Sequence, residues 1–170
     1  MSGRPISTKF KSAVSAMKSG QMLVALEGFS DILTTAPQHA ETRKRLARAV
    51  KESPQPPQLN VAFLISLFQK GDLAALETQL HDFLQTYPLS SNLWGLKGAL
   101  EKTRGNVAKA LRAFRFATVL EPESPTAQNN LGLALHDDKQ LEAAVDCFQR
   151  AIQLKPDYFE AFRNLGLSQK

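Results

Sequence analysis

Three histidines, one cysteine and one Lys-Ser-Gly string are the residues of this 170-residue chain whose types could support catalysis or hold a metal. His39, His81 and His136 stand far apart in the sequence, and none has a companion ligand at the spacing a metal site needs. Cys147 is the sole cysteine, which excludes an internal disulfide and any multi-cysteine metal site. Asp146 beside it would raise rather than lower the thiol pKa, so the expected role of Cys147 is packing. The string MKSGQ, Met17 to Gln21, contains the Lys-Ser-Gly of a phosphate-binding loop. Such loops leave a strand and open a helix, whereas this one joins two helical stretches. No catalytic residue, cofactor or metal is expected.

The remaining chemistry is charge and shape. Residues 1 to 51 hold nine Lys and Arg against three acids, and residues 52 to 170 hold twelve against thirteen, so the net excess of +5 is N-terminal. Its densest part is ETRKRLARAVK, Glu41 to Lys51. On a helix Leu46 and Val50 share one face there, while Arg43, Lys44, Arg45, Arg48 and Lys51 are mostly turned elsewhere. This is a solvated helix face or a patch for an acidic partner or polyanion; without interleaved aromatics, nucleic acid is not the expected ligand. The apolar run Val61 to Phe68 is far shorter than the roughly 20 residues of a membrane span, and residues 1 to 20 lack the apolar core of a secretory signal. A cytoplasmic location, away from the membrane, is expected, and a single cysteine fits a reducing compartment.

What positions these residues is an internal repeat. Shifting the chain by 34 on itself superposes Gly98, Gly132 and Gly166, then Ala110 with Ala144, Phe114 with Phe148, Ala117 with Ala151, and Pro122 with Pro156. The pattern resembles the tetratricopeptide repeat, a 34-residue pair of antiparallel helices with Trp, Leu-Gly, Tyr, Ala, Phe and Pro at fixed places. Trp94 supplies the Trp and is expected in the core; Leu131-Gly132 and Leu165-Gly166 supply the Leu-Gly. Lys97 replaces the Leu, and Glu101 and Leu135 replace the Tyr. A more divergent copy ends at Pro88, with Leu64 for the Gly, Leu76 for the Ala, Leu80 for the Phe and Phe83 for the second Ala; another carries Ala25, Phe29, Ile32 and Pro37. The resemblance implies an all-α fold, a right-handed superhelix of ten helices.

The columns have physical roles. Gly and Ala let helices approach closely, Phe fills the resulting wedge, and each Pro ends a helix and turns the chain into the next repeat. Gly20, Gly71 and Gly105 punctuate the turn within a repeat, and Asp137-Asp138 is expected to do so in the third. Pro37 to Pro88 is one repeat plus half, so residues 39 to 52 form an extra helix before the stiff segment SPQPPQ, Ser53 to Gln58. The expected organisation is a module over 1–52, a joint at 53–56 and an array over 57–170, divided into 57–90, 91–124, 125–158 and a partial repeat at 159–170. The module should move relative to the array or dock at an angle that breaks the superhelix. In the partial repeat, Phe159, Phe162 and Leu165 should face back onto preceding helices, with Leu167 more exposed. That end of the array is expected to be sticky and to support self-association.

In the resembled family the first helix of each unit lines a groove for an extended peptide or a partner helix, which implies a non-catalytic scaffold for a protein or peptide partner. Asn130 and Asn164 occupy one column of adjacent first helices and should form two rungs for a peptide backbone, with Asn129, Arg163, Lys102 and His136 adding side-chain preference. The carboxylate clamp of co-chaperones does not match, since Glu160 and Asn164 stand where its last helix wants bases. An irregular first repeat, a Pro-rich joint and Asn-Leu-Gly repeats also resemble the N-terminal region of bacterial tetratricopeptide sulfotransferases and glycosyltransferases. That implies an alternative: an arm presenting acceptors to a catalytic domain.

Overall fold

The fold, a computed structural model, describes residues 5–168. Among these are ten α-helices and no strand: α1 Ile6–Lys18, α2 Met22–Thr35, α3 Ala40–Glu52, α4 Gln58–Gln69, α5 Leu73–Thr86, α6 Ser91–Thr103, α7 Val107–Leu120, α8 Pro125–Asp137, α9 Leu141–Leu154 and α10 Phe159–Ser168. The last two residues of the helix expected over 159–170 lie outside the described part.

Two kinds of turn recur. Between the helices of a unit, one residue takes the left-handed conformation: Gly20, Gly71 and Gly105 at φ 75–78°, and Lys139 at φ 64°. The third turn therefore differs from expectation. The left-handed position is the one 34 after Gly105, occupied by Lys139, and Asp138 before it stays near φ −81°. Between units, Ala36, Tyr87, Glu121 and Lys155 share φ from −126° to −140° and ψ from 60° to 93°. Side chains then receive the orphan N–H groups of some helix starts: Asp72 accepts from Ala75, Ser124 from Ala127 and the His39 ring from Thr42.

The glycine column brings paired helices together. A Cβ at Gly98 would lie 2.5 Å from the Phe114 ring, and one at Gly132 would lie 2.6 Å from Phe148. These rings fill space that only a missing side chain provides. The divergent unit is built differently: Leu64 brings bulk to the first helix and Leu80 replaces the ring, both are fully buried with Leu76, and α4 and α5 approach each other less closely than the other pairs. In the first unit the small residue has moved to the second helix, where a Cβ on Gly28 would meet Ala13 at 2.8 Å. Gly166 has no neighbour within 4 Å of such a Cβ.

Lys97 and Glu101, the two departures on α6, compensate each other. Glu101 is buried at 3 % exposure, receives Lys97 Nζ at 2.9 Å and accepts from Asn106 Nδ2 at 2.8 Å. Burial pushes its carboxyl pKa up, but these two donors and the Lys97 charge outweigh it and hold the group below its usual value. Glu77 of α5 reaches Lys97 at 3.9 Å and Arg104 at 2.8 Å.

The superhelix breaks between α3 and α4. In α3, α6, α8 and α10 the third residue of the helix is covered by what precedes it: Thr42, Leu93 and Ala161 are 0 % exposed and Ala127 is 7 % exposed. Leu59 holds that place in α4 and is 80 % exposed. The link leaves α3 at Ser53 with φ −86° and ψ 142°, unlike the other turns between units. α2 and α3 instead pack on α7, where Leu26, Phe29 and Leu46 share a core with Leu89, Phe116 and Leu120. Trp94 packs edge-on against Phe116 at 4.8 Å and donates its indole N–H to the Pro88 carbonyl at 2.9 Å, and Glu27 pairs with Arg112 across the contact. The two parts thus share a core instead of meeting only at the joint.

Of Phe159, Phe162 and Leu165, expected to face back onto the preceding helices, only Leu165 does so; Phe159 is 80 % exposed and Phe162 is half exposed, and Leu167 is exposed as expected. The repeat sets the phase of this helix. Ala161 and Ser168 stand in the buried columns of Ala127 and Ala134, so they turn inward and the phenylalanines turn out.

Two predictions follow from this packing. Gly98→Ala and Gly132→Ala should each cost about 1–3 kcal/mol through displaced rings, whereas Gly166→Ala should gain up to about 1 kcal/mol from helix propensity; thermal unfolding ranks the three. Lys97→Leu strands a buried carboxylate and should cost about 1–3 kcal/mol, less than a fully buried pair because Lys97 is partly solvated, while Lys97→Leu with Glu101→Leu should regain it. Because the Glu101 carboxyl is held low, its stabilisation is complete above the ordinary carboxyl value of about 4.3. It is lost as pH falls through the depressed value, so melts from neutral pH downward should show a smaller acid-side loss in the double variant.

Candidate functional site

The first helices α4, α6, α8 and α10 lie side by side, each touching the next, and their inner faces form a groove. Along it lies a recess of about 360 Å³ between α4, α6 and α8, to which the Phe114 ring of α7 also contributes. Phe68, Ala99 and Leu133 make its apolar walls, and Lys102, Thr103 and Asn130 supply polar groups. Helical spacing explains the set: Lys102 and Thr103 stand three and four residues after Ala99 on α6, and Leu133 stands three after Asn130 on α8.

Of the residues singled out in the sequence, Lys102 and Asn130 are brought together in this recess. Lys102 is already engaged, its ammonium pairing with Asp137 of the next first helix, and His136 Nδ1 lies 3.9 Å from the same carboxylate. Asp137 was not legible as a groove residue because its partner is 35 positions away, one more than the repeat. Arg163 is exposed on α10.

Asn164 requires a correction. It is 6 % exposed, and its Nδ2 donates to Oδ1 of Asn129, itself buried, at 2.9 Å. Its backbone carbonyl accepts from Ser168 Oγ at 3.0 Å. The reason is the phase of α10 already described: with Ala161 and Ser168 inward, position 164 points at α8. The two carboxamides therefore tie adjacent first helices together, and only Asn130 of the expected ladder stands at the recess.

The basic run lies on α3. Lys44, Arg45 and Arg48 line a basin of about 460 Å³ that also contains Glu41 and Glu52. Arg48 Nε pairs with Glu52 at 2.8 Å, a bond that holds its guanidinium pKa above the usual value. Arg43 turns away, its Nε donating to the Pro37 carbonyl at 2.6 Å, and Lys51 is exposed. His39 caps α3 and His81 bonds to Gln85 at 2.8 Å, so both have local roles. The Cys147 thiol is pushed up to about 11, chiefly by burial and then by Asp146, with Arg115 pulling the other way. A thiol so held is a packing group at neutral pH.

The Asn129–Asn164 bond separates structure from binding. Asn164→Ala should cost about 1–3 kcal/mol by leaving a buried carboxamide unpaired, whereas Asn130→Ala should change stability by less than about 0.5 kcal/mol. Chemical denaturation of the two variants checks this.

Comparison with known proteins agrees with the fold. Residues 96–159 match the tetratricopeptide repeat family. BBSome complex member BBS4 of Mus musculus is 36 % identical over 70 residues, covering 41 % of this chain and 14 % of that protein. Among solved structures, the first tetratricopeptide-repeat domain of Spaghetti (RPAP3) bound to an HSP90 peptide superposes with a TM-score of 0.62 at 19 % identity, covering 66 % of this chain and 89 % of that one. A Thermobaculum terrenum O-GlcNAc transferase mutant superposes with a TM-score of 0.62 at 27 % identity, covering 73 % and 22 %. The chain thus spans a small part of the length of the relative it matches.

Proposed function

The chain carries tetratricopeptide repeats in a helical solenoid, and from that premise we propose that it is a non-catalytic interaction scaffold whose groove holds an extended peptide or a partner helix. The observation that carries this reading is the recess across α4, α6 and α8, where apolar walls stand beside Asn130 and Lys102. A carboxamide offers both a donor and an acceptor, which suits a peptide backbone without choosing its side chains. Lys102, Asp137 and His136 form a small charged cluster that can exchange its internal pair for a partner's charge. Arg163 and the Asn129–Asn164 tie extend the same wall, the tie by holding α8 and α10 in register. The likeness in fold to a tetratricopeptide-repeat domain bound to an HSP90 peptide supports a peptide ligand in general. Glu160 and the buried Asn164 disfavour a clamp for a terminal carboxylate. No described helix is long and apolar enough to cross a membrane, and a cytoplasmic setting with an acidic partner for the α3 bases completes the proposal.

The structural similarity to an O-GlcNAc transferase favours a second reading, that the chain is the acceptor-presenting arm of a glycosyltransferase or a sulfotransferase. The reading frame beyond Lys170 discriminates: a catalytic domain encoded there supports the arm, and a stop codon supports a free scaffold.

Selection from a random peptide display library should yield ligands that compete with one another for one site. Each hydrogen bond contributes roughly 1 kcal/mol, so Lys102→Ala with Asn130→Ala should weaken such a ligand about thirtyfold with helicity unchanged. Full affinity in that variant would place binding outside the groove.

A further inference from the structure

On the opposite side from the groove, the docking of α2 and α3 on α7 leaves a cleft of about 610 Å³ that also reaches α8 and α9. We propose that this cleft is a second binding site, and that it takes the apolar face of an amphipathic, acid-flanked α-helix from a partner protein.

The repeat itself argues for a helix. α3 follows α2 through the turn that elsewhere precedes a first helix, with the Ala36 backbone at φ −138° and ψ 77° and Thr42 fully covered. It is therefore the first helix of a unit. Counting from each such helix start, Ala47 stands in the column of Gly98 and Gly132, the small residues against which Phe114 and Phe148 of a second helix pack. α3 has no second helix, because the chain leaves it in extended conformation towards α4. Ala47 and Arg43 consequently stay exposed and form one wall of the cleft. A helix with side chains is about 10–12 Å across and rises 5.4 Å per turn, or roughly 400–600 Å³ per turn. The cleft holds one turn or slightly more, so a partner helix would insert one face and leave the other in solvent.

Its chemistry narrows the occupant. Leu33 and Leu46 on one side face Val119, Leu131 and Ala143 on the other, which suits leucine- or phenylalanine-sized anchors. Arg43 on α3 and Arg115 on α7 supply positive charge from two walls, against one acid in the cleft, Asp146. The Arg43 Nε is bonded to Pro37, which leaves its terminal amino groups for a ligand, and Arg115 has no carboxylate within 4.0 Å among the described residues. Arg115 also borders a separate basin containing Glu27, Asp31 and Asp138, so the field favouring an acidic flank is strongest on the α3 side. Cys147 lines the cleft and reports its occupancy.

The test uses a fluorescein-labelled 18-residue peptide with Leu and Phe at i, i+3, i+4 and i+7 and Glu between them. One control replaces Glu by Lys, and a second scatters the apolar residues at constant composition. The acidic amphipathic peptide should bind 1:1 by fluorescence anisotropy and, at about pH 9 to 9.5 where a usable fraction of the Cys147 thiol is ionised, slow its alkylation by iodoacetamide severalfold. Arg43→Gln with Arg115→Gln should weaken it at least tenfold. Ala47→Phe, at a position exposed in the free protein, should abolish binding without loss of helicity, and Lys102→Ala with Asn130→Ala should leave it unchanged. Equal binding of either control peptide, no protection of Cys147, or loss of binding only in the groove variant would overturn the proposal. Protection of Cys147 by dodecanoate but not by the peptide would assign the cleft to a small amphiphile and overturn the helix.

Discussion

The close approach of two helices at a residue without a side chain governs this structure. At Gly98 and Gly132 an aromatic ring occupies the volume a Cβ would need, which fixes the rotation of each helix about its axis as well as the spacing of the pair. Once that rotation is set, the other columns follow. Positions 93, 127 and 161 turn inward to the preceding unit, and positions 102 and 130 turn to the groove. Within α4 to α10 each unit packs on its neighbours, so such a contact acts locally and is repeated. The divergent unit puts Leu64 and Leu80 in place of Gly and Phe, a larger total volume, and its helices α4 and α5 accordingly stand further apart than the pairs built on glycine.

The same locality explains the break. A solenoid continues only where a second helix is followed by a first helix through the shared turn geometry, and at Ser53 that geometry is absent. α4 is left with Leu59 and half-exposed Phe63 uncovered, while α3 is left without a second helix. The N-terminal part recovers burial by resting on α7, and Phe116 and Leu120 receive Leu26, Phe29 and Leu46 in place of solvent. α7 covers Leu46 of α3 but not Ala47 or Arg43, and the cleft is the volume left beside them.

The sequence carried those features that repeat. Gly, Ala, Phe and Pro columns at a spacing of 34 reveal helix order and pairing, since each is a steric requirement that few other residues satisfy. Three kinds of feature were hidden. Residue preference points to Asp137-Asp138 for the left-handed turn, whereas the repeat register points to position 139, and the register prevails at Lys139. The inward turn of Asn164 and the exposure of Phe159 depend on helix phase, and hydropathy misreads phase when small residues occupy the buried columns. The docking of α2 and α3 on α7 has no repeating signal at all, because it is a single contact between surfaces far apart in sequence.

The groove and the cleft differ in how their polar groups are held, and this separates their roles. Along the first helices the expected recognition groups are largely satisfied by one another: Lys102 by Asp137, and Asn129 by Asn164. A ligand there must exchange one set of bonds for another, so the net gain per contact is small and selectivity has to come from shape and from the apolar walls. In the cleft, Arg115 has no ion-pair partner among the described residues and the apolar walls meet no helix. A ligand that fills it gains burial without first breaking an internal bond. Two surfaces on one short array, one pre-satisfied and one unfilled, are suited to holding different partners at once, because they use different faces of α8: Gln128, Leu131 and Leu135 line the cleft, and Asn130 and Leu133 line the recess.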